Sequence, residues 1–356
     1  MATLSSSTLN LYCWTGSFSS QPTQPQYTIT KSNPDSNNTV RFEISELIQD
    51  YITLVYDNDY NSISTTCWWY YVKTNQYSDL DTPSSTTAYG IATKGYTYFE
   101  DGLNSTLTTS KMFSNNYLYI PENIQYYIPI YKGPNGVTNV IFYTIDGAGV
   151  ESVADSKSIT PLSGIPVTEN SNDYIAYISS TVQASKIELV SSNTSVSTYS
   201  TETSSATETI YPIFTCEPKY TQVKISFVNK FGAVQDLYFN KKRTDNFNVK
   251  RDNFITSTLT SSTSGVSYNN YNPSNIVQDV LTTKSLTLNT GFLRDEYNET
   301  MRQLFQSEDI WIRDENKTLP VVVKDSSFTY KTSLNDKLVN YTVQFEFAFD
   351  GINNIR

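Results

Sequence analysis

The sequence predicts a mainly β protein: one or two β-sandwich (immunoglobulin- or fibronectin-like) domains, followed by a carboxy-terminal α+β domain with one amphipathic helix on an antiparallel sheet. Three observations carry this expectation. Tyr, Phe, Thr, Val and Ile supply most of the apolar content, with 28 Tyr and 17 Phe in 356 residues, and such side chains suit pleated surfaces. Short alternating runs recur with turn residues between them: Tyr27 to Thr30, Arg41 to Ile44, Trp68 to Val72, Tyr96 to Phe99, Tyr126 to Tyr131 and Val140 to Ile145. One stretch alone, Arg294 to Gln306, carries clear helical spacing, with Tyr297, Met301, Leu304 and Phe305 on one face and Asp295 and Glu296 at the amino end where the macrodipole favours acids.

Along the chain, Gly133-Pro134-Asn135-Gly136 reads as a hairpin turn between Tyr126 to Tyr131 and the strand after it, and Asp146-Gly147 as the next corner. Ser191 to Thr209 has almost no aliphatic residue and reads as an exposed loop or projecting hairpin at a domain seam. A second break near Leu103 to Ser114 gives three expected units: a sandwich at 1–105, a second β-rich domain at 106–209 ending in the Ser/Thr-rich loop, and an α+β assembly domain at 210–356. In that last unit Val223 to Val228 and Val234 to Phe239 flank Asn229-Lys230-Phe231-Gly232, where Gly232 supplies the positive φ of the turn. After a polar connection, strands follow at Ser285 to Asn289, Ile310 to Ile312, Leu319 to Val323 and Phe328 to Thr332, with turns at Asp314 to Lys317 and Asn335-Asp336. The last strand, Leu338 to Phe349, places Val339, Tyr341, Val343, Phe345, Phe347 and Phe349 on one face.

Composition excludes several chemistries. There is no histidine, hence no Ser-His-Asp triad, Cys-His pair, His-ligated zinc or imidazole shuttle. A net charge of −10 opposes sequence-independent grip on nucleic acid, which needs cations to displace phosphate counterions. The same sign suits a surface past which DNA slides without sticking. Cys13, Cys67 and Cys216 stand far apart and read as free thiols. No basic, then apolar, leader opens the chain and no run of about 18 apolar residues occurs, so neither export nor a membrane span is expected.

Candidate sites are weighed against plainer roles. Asp57-Asn58-Asp59-Tyr60-Asn61 starts like a calcium loop, but Ser62 and Trp68 stand where glycine and glutamate are needed, so it reads as a polar turn. No nucleotide-cradling glycine motif occurs, and no carboxylate pair stands out for glycosidase chemistry; no cofactor and no catalytic residue are assigned. Lys241, Lys242 and Arg243, followed by Lys250-Arg251, form the dense basic segment, read either as a partner contact or as a solvated loop paired to Asp236, Asp245 and Asp252. Trp68 and Trp69 are candidate glycan contacts, with core or interface packing as the commoner use of such rings. Tyr297, Met301, Leu304, Phe305, Trp311, Tyr341, Phe345 and Phe347 are the candidate assembly-interface or scaffold residues.

The segments FVNKFGAVQDLYFNKK (Phe227 to Lys242), LTLNTGFLRDEYNETMRQLFQSEDIWI (Leu286 to Ile312) and VKDSSFTYKTSLNDKLVNYTVQFEFAFDGINNIR (Val323 to Arg356) resemble virion structural proteins of tailed bacteriophages, particularly phages of Bacteroidota. The resemblance covers about the last third of the chain and brings no catalytic motif. It implies a non-enzymatic component of tail, baseplate or neck, assembled in the host cytoplasm and located in the virion. Its partners would be copies of itself, in a ring, and other virion proteins, with no specific nucleic acid and no membrane. Two other readings stand beside it: a receptor- or glycan-binding adhesin of a tail fibre, and a carboxylate-based polysaccharide hydrolase.

Overall fold

The computed structural model describes residues 4–32, 34–35, 39–61, 67–78, 84–102, 110–133, 136–162, 174–191, 208–217, 219–325, 329 and 338–351. The Ser/Thr-rich stretch 192–207, the break at 103–109, and the expected strand and turn within 326–328 and 330–337 lie outside the described residues. The protein is mainly β, with several antiparallel sheets and a carboxy-terminal helix on a sheet.

The first sheet has the order β2-β1-β3-β4, from β1 (Leu4–Trp14), β2 (Tyr27–Ser32), β3 (Cys67–Ser78) and β4 (Ser84–Thr93). Its two faces follow strand alternation. Leu9, Leu11, Cys13 and Val72 pack under Ile48 and Ile52, which come from and just after the short helix α1 (Ser45–Gln49). Trp14, Cys67 and Trp69 pack on the opposite side against Met112, Tyr174 and Ile175. Two expected strands are absent. Arg41 to Ile44 makes no ladder and leads into α1, and Tyr96 to Phe99 ends in a 3-10 turn, Phe99–Asp101, stopped by Gly102 at φ +62.

Next come β5 (Tyr117–Pro121), β6 (Tyr126–Tyr131), β7 (Val137–Ile145), β8 (Glu151–Ser158), β9 (Ile175–Ser180), β10 (Lys186–Ser191) and β11 (Glu208–Thr215). They form a five-stranded sheet, β5-β11-β10-β7-β8, and a two-stranded sheet, β6-β9. The predicted hairpin across Gly133–Gly136 is not one: β6 pairs with β9, while β7 pairs with β8 and β10. Both strands are strongly apolar, and they meet face to face instead of side by side, sharing one core that holds Ile128, Ile130, Val140, Phe142, Ile187 and Leu189. Burial of both faces outweighs the short turn in choosing partners. β11 runs across the expected boundary at 209/210 and belongs to the five-stranded sheet, antiparallel to β10 and parallel to β5.

The carboxy-terminal part contains β12 (Val223–Val228), β13 (Val234–Phe239), β14 (Thr244–Ile255), β15 (Leu259–Ser262), β16 (Gly265–Tyr268), β17 (Asn275–Arg294), α2 (Asn298–Gln306), β18 (Ile310–Asp314), β19 (Lys317–Val323) and β20 (Leu338–Phe347). Seven of the strands make one sheet, β13-β12-β18-β19-β20-β17-β14. The alternation read in the last strand holds: Val339, Tyr341, Val343, Phe345 and Phe347 are all buried. Phe349 departs from it, because the ladder ends at Phe347 and the ring lies half-exposed against Phe347. The helix also starts later than its spacing suggested. Phe292, Leu293 and Arg294 are held in the ladder with β20, a 3-10 turn occupies Asp295–Tyr297, and α2 begins at Asn298.

Polar contacts tie the earlier strands to this sheet. Asp236, on β13, accepts hydrogen bonds from Tyr60 Oη (2.5 Å) and Ser226 Oγ (2.6 Å), with Lys224 Nζ 3.5 Å away. The expected calcium-like loop is thus a turn that delivers Tyr60, with Asp57 and Asp59 capping backbone N–H groups two residues on. Burial first, and then the neighbouring Asp236 carboxylate, push the Tyr56 and Tyr60 phenols well above their ordinary range. At the β12–β13 turn the buried Asn229 side chain accepts from Phe231 N and Ala233 N and donates to Met112 O (2.6 Å).

Gly232 has φ +80, and a Cβ there would stand 2.8 Å from Gly95 N and 2.9 Å from Lys94 N. Both the turn and the docked 94–96 segment therefore require glycine. Gly232→Ala is expected to destabilise the protein by about 2 kcal/mol or more in urea titration, from left-handed strain plus the backbone clash. Gly147→Ala, where nothing lies within 4 Å, serves as the control and should shift stability little; equal losses at the two positions would refute this reading.

Candidate functional site: a ribbon with an uncovered apolar face

The residues expected to build an interface or scaffold are scaffold. Tyr297, Met301 and Leu304 of the helical region share one core with Tyr341, Phe345 and Phe347, and Phe305 packs at its margin. Trp311 lies on the other face of β18, 5.2 Å from the Tyr56 ring. Tyr297, Met301, Leu304, Tyr341, Phe345 and Phe347 are buried within one chain and not free to meet a second, while Phe305 and Trp311 are partly buried.

Trp69 is fully buried and its Nε1 donates to Gly16 O at 3.0 Å, so it has no ring face for a sugar. Trp68 is half-buried beside Tyr51, at 6.1 Å between ring centroids.

What sequence reasoning missed is the continuation of the sheet beyond its core. The polar connection between Phe239 and Ser285 is a long antiparallel ribbon: β14 pairs with β17 from Thr244↔Thr287 out to Ile255↔Asn275, with the small β15–β16 hairpin in the segment that joins them. Every residue of β14 is exposed. The ladder extends about 30 Å past Lys284 at roughly 3.3 Å per residue.

Alternation fixes which side chains share a face. Leu286 and Leu288 of β17 point into the core, so Lys284, Thr282 and Val280 lie on that same face. Their partners across the ladder are Phe247, Val249 and Arg251. Beyond the bulge at Asp252/Asn253, alternation along β14 keeps Asn253 and Ile255 on this face, with Val277 opposite Asn253, and puts the Phe254–Ile276 pair on the reverse one. Phe247 (63% exposed) and Val249 (43%), then Ile255 (86%) and Val277 (48%), therefore carry apolar side chains outward from the buried face of the sheet into solvent. The reverse face holds Asn246, Asn248, Lys250, Asp252, Asp279 and Thr283, with Leu281 among them and Phe254 and Ile276 at its outer end. The inner part of the ribbon, from Thr244 to Asp252, is amphipathic.

The basic segment finds its role at the root of this ribbon. Arg243 grips Asp314 of β18 through two hydrogen bonds, at 2.6 and 3.1 Å, and also reaches Asp245 at 2.9 Å. Lys284, on the other strand of the ribbon, lies 3.8 Å from the same Asp314 carboxylate, so one carboxylate holds both legs. Lys241 pairs with Glu217, while Lys242 is exposed. Of the three acids expected to pair with this segment only Asp245 does so through Arg243; Asp236 lies beside Lys224 and Asp252 stands on the ribbon opposite Asp279.

No family model, curated protein or solved structure matches this chain.

The Arg243 hydrogen bonds hold the Asp314 carboxyl below the usual carboxylate range. A depressed carboxylate pKa stabilises the fold at pH values above the unfolded value of about 3.9 and loses that contribution as pH falls through the folded value. Asp314→Asn is therefore expected to be less stable than the parent at pH 7, with the gap closing below about pH 4. Denaturation midpoints of both proteins across that range check this, and a constant gap would refute it.

Proposed function

We propose that this protein is a non-enzymatic structural subunit of a tailed-bacteriophage particle, placed in the tail, baseplate or neck, that assembles with copies of itself and with neighbouring virion proteins. The observation that supports this reading most is the ribbon. An isolated two-stranded ribbon is marginal in water, and one with an apolar stripe on a single face gains stability when a partner covers that stripe.

Edge pairing is the less suitable mode. β14 is the sheet's outer strand, but Lys250-Arg251 and the bulge at Asp252/Asn253 interrupt it, features that discourage strand-to-strand addition. The face is the better contact: a stem roughly 30 Å long and 10 Å wide offers about 300 Å² on that side before the tip is counted, a substantial part of the roughly 800 Å² each partner contributes to a standard interface. Residues 253–278 carry no charged side chain, so the distal part of the ribbon brings no like-charge repulsion to such a contact. The resemblance of the carboxy-terminal segments to phage virion proteins points the same way, and the seven-stranded sheet with α2 would be the rigid base from which the arm reaches.

Replacing residues 246–283 by a two-residue Asn-Gly turn tests the proposal. The full chain is expected to form a discrete oligomer by light scattering at micromolar concentration. The shortened chain should be a monomer that keeps its β-sheet circular dichroism and a cooperative melt, and Phe247→Asp should weaken association in the same direction. A full-length protein that stays monomeric, together with phage particles that form normally when only the shortened chain is supplied, would overturn it.

A further inference from the structure

A second feature lies away from the ribbon, where the turn at Phe99–Asp101 faces the carboxy-terminal end of α2 and the start of β18. It is a cleft of about 520 Å³, lined by Tyr96, Phe99, Gln306, Ser307, Glu308 and their neighbours. That volume is within the range of small-ligand sites. We propose that this cleft is a binding subsite for an uncharged saccharide.

The wall of the cleft is firmly built. Tyr98 is held between two cations, with the Arg302 guanidinium 3.6 Å from its ring centroid and Lys230 Nζ at 5.1 Å. Its hydroxyl donates to Glu299 Oε1 at 2.8 Å, an atom that also accepts from Gln303 Nε2 at 2.9 Å. Such a clamped ring leaves the lip of the cleft with little freedom to collapse.

Charge then selects the ligand class. The lining cations are already engaged: Lys94 pairs with Asp309, and Arg302 Nη1 with Glu100 Oε1 at 2.6 Å. Glu308 is the lining carboxylate that makes no ion pair among the described residues. A phosphate or an acidic sugar would meet an unbalanced negative charge and no free cation. A hydroxylated neutral ligand instead finds a carboxylate able to accept from its O–H groups, with the Gln306 amide close by and the Ser307 Oγ, which donates to Asp309 O at 3.0 Å, still able to accept.

The remaining requirement is a surface for the apolar C–H face of a sugar ring. Phe99 supplies it. Its side chain is 103% exposed, the most exposed large apolar residue among the described residues, and it stands at the rim. Few other apolar groups line the cleft, Val228 among them, so an apolar peptide anchor would find little to pack against. Nearby, the Tyr96 ring packs edge-on at 5.8 Å from Tyr98, and its hydroxyl is shielded from water.

The test uses the full chain on an array of neutral and acidic oligosaccharides, followed by saturation-transfer NMR with the best binder. Neutral glycans are expected to bind. Phe99→Ala removes an exposed ring and leaves the core intact, and it should weaken that binding roughly tenfold, the size of one stacking contact. Glu308→Gln should raise relative binding of the acidic glycans. No glycan bound at millimolar concentration, or binding unchanged by both substitutions, overturns the proposal. So does an outcome in which Phe99→Ala disrupts oligomers while no sugar binds, since that assigns the lip to a protein contact. The proposal is independent of the assembly reading, because the chain lacking residues 246–283 retains the whole cleft.

Discussion

One strand sets the character of the carboxy-terminal half. β17 spans Asn275 to Arg294, and between the register shifts of its two ladders, near Gln278 and at Asn289/Phe292, its side chains alternate between faces. Its Leu286 and Leu288 are locked against Phe345 and Val343 of β20. That lock fixes the orientation of Lys284, Thr282 and Val280, so the face of the ribbon that carries Phe247 and Val249 is continuous with the core. A one-residue slip in the β17–β20 register would turn Phe247 and Val249 to the other face and bury polar groups in the core. The core thereby specifies the face that an assembly partner would meet.

Rigidity at the root follows from electrostatics. Asp314 lies at the end of β18 and receives Arg243 from one leg of the ribbon and Lys284 from the other. The Lys284 ammonium also sits 4.8 Å over the Phe347 ring, so the clamp rests on the edge of the core. A charged network that is only partly exposed resists screening better than a surface pair. The root is therefore held in one geometry, and just beyond it Gly351 N donates to Thr282 O of the ladder at 2.8 Å. The same economy appears where β12 and β13 meet the earlier strands: Asp236 Oδ1 and the buried Asn229 side chain find partners in Tyr60, Ser226 and Met112, which fixes the docking geometry more sharply than apolar contact does.

Legibility in the sequence tracked local determinism. The strict alternation of 338–347, the Asn229–Gly232 turn and the apolar face of α2 all depend on neighbours in the chain, and each was readable. Pairing choices were not. Gly133–Gly136 looks like a hairpin turn, yet β6 and β7 go to different sheets because each has an apolar face to cover. The ribbon was read as a polar connection because its stem mixes Asn, Thr and charged residues on one face with Phe and Val on the other, and a strand with no buried face gives only a weak pattern. Trp69 shows the same limit: its neighbours in sequence do not reveal that Tyr174 and Met112 close over it.

By itself, the sequence determined the class of structure and the chemistry it forgoes: pleated elements from aromatic and β-branched side chains, one amphipathic helix, and no imidazole anywhere. Those are properties of composition and of short-range periodicity, which no distant contact can alter. Only the tertiary structure decided which tryptophan was buried, which carboxylate held the arm, and which aromatic ring was left standing free at the rim of a cleft. Each of these depends on residues far apart in the chain meeting once the sheets have closed, and burial and charge compensation are properties of that meeting.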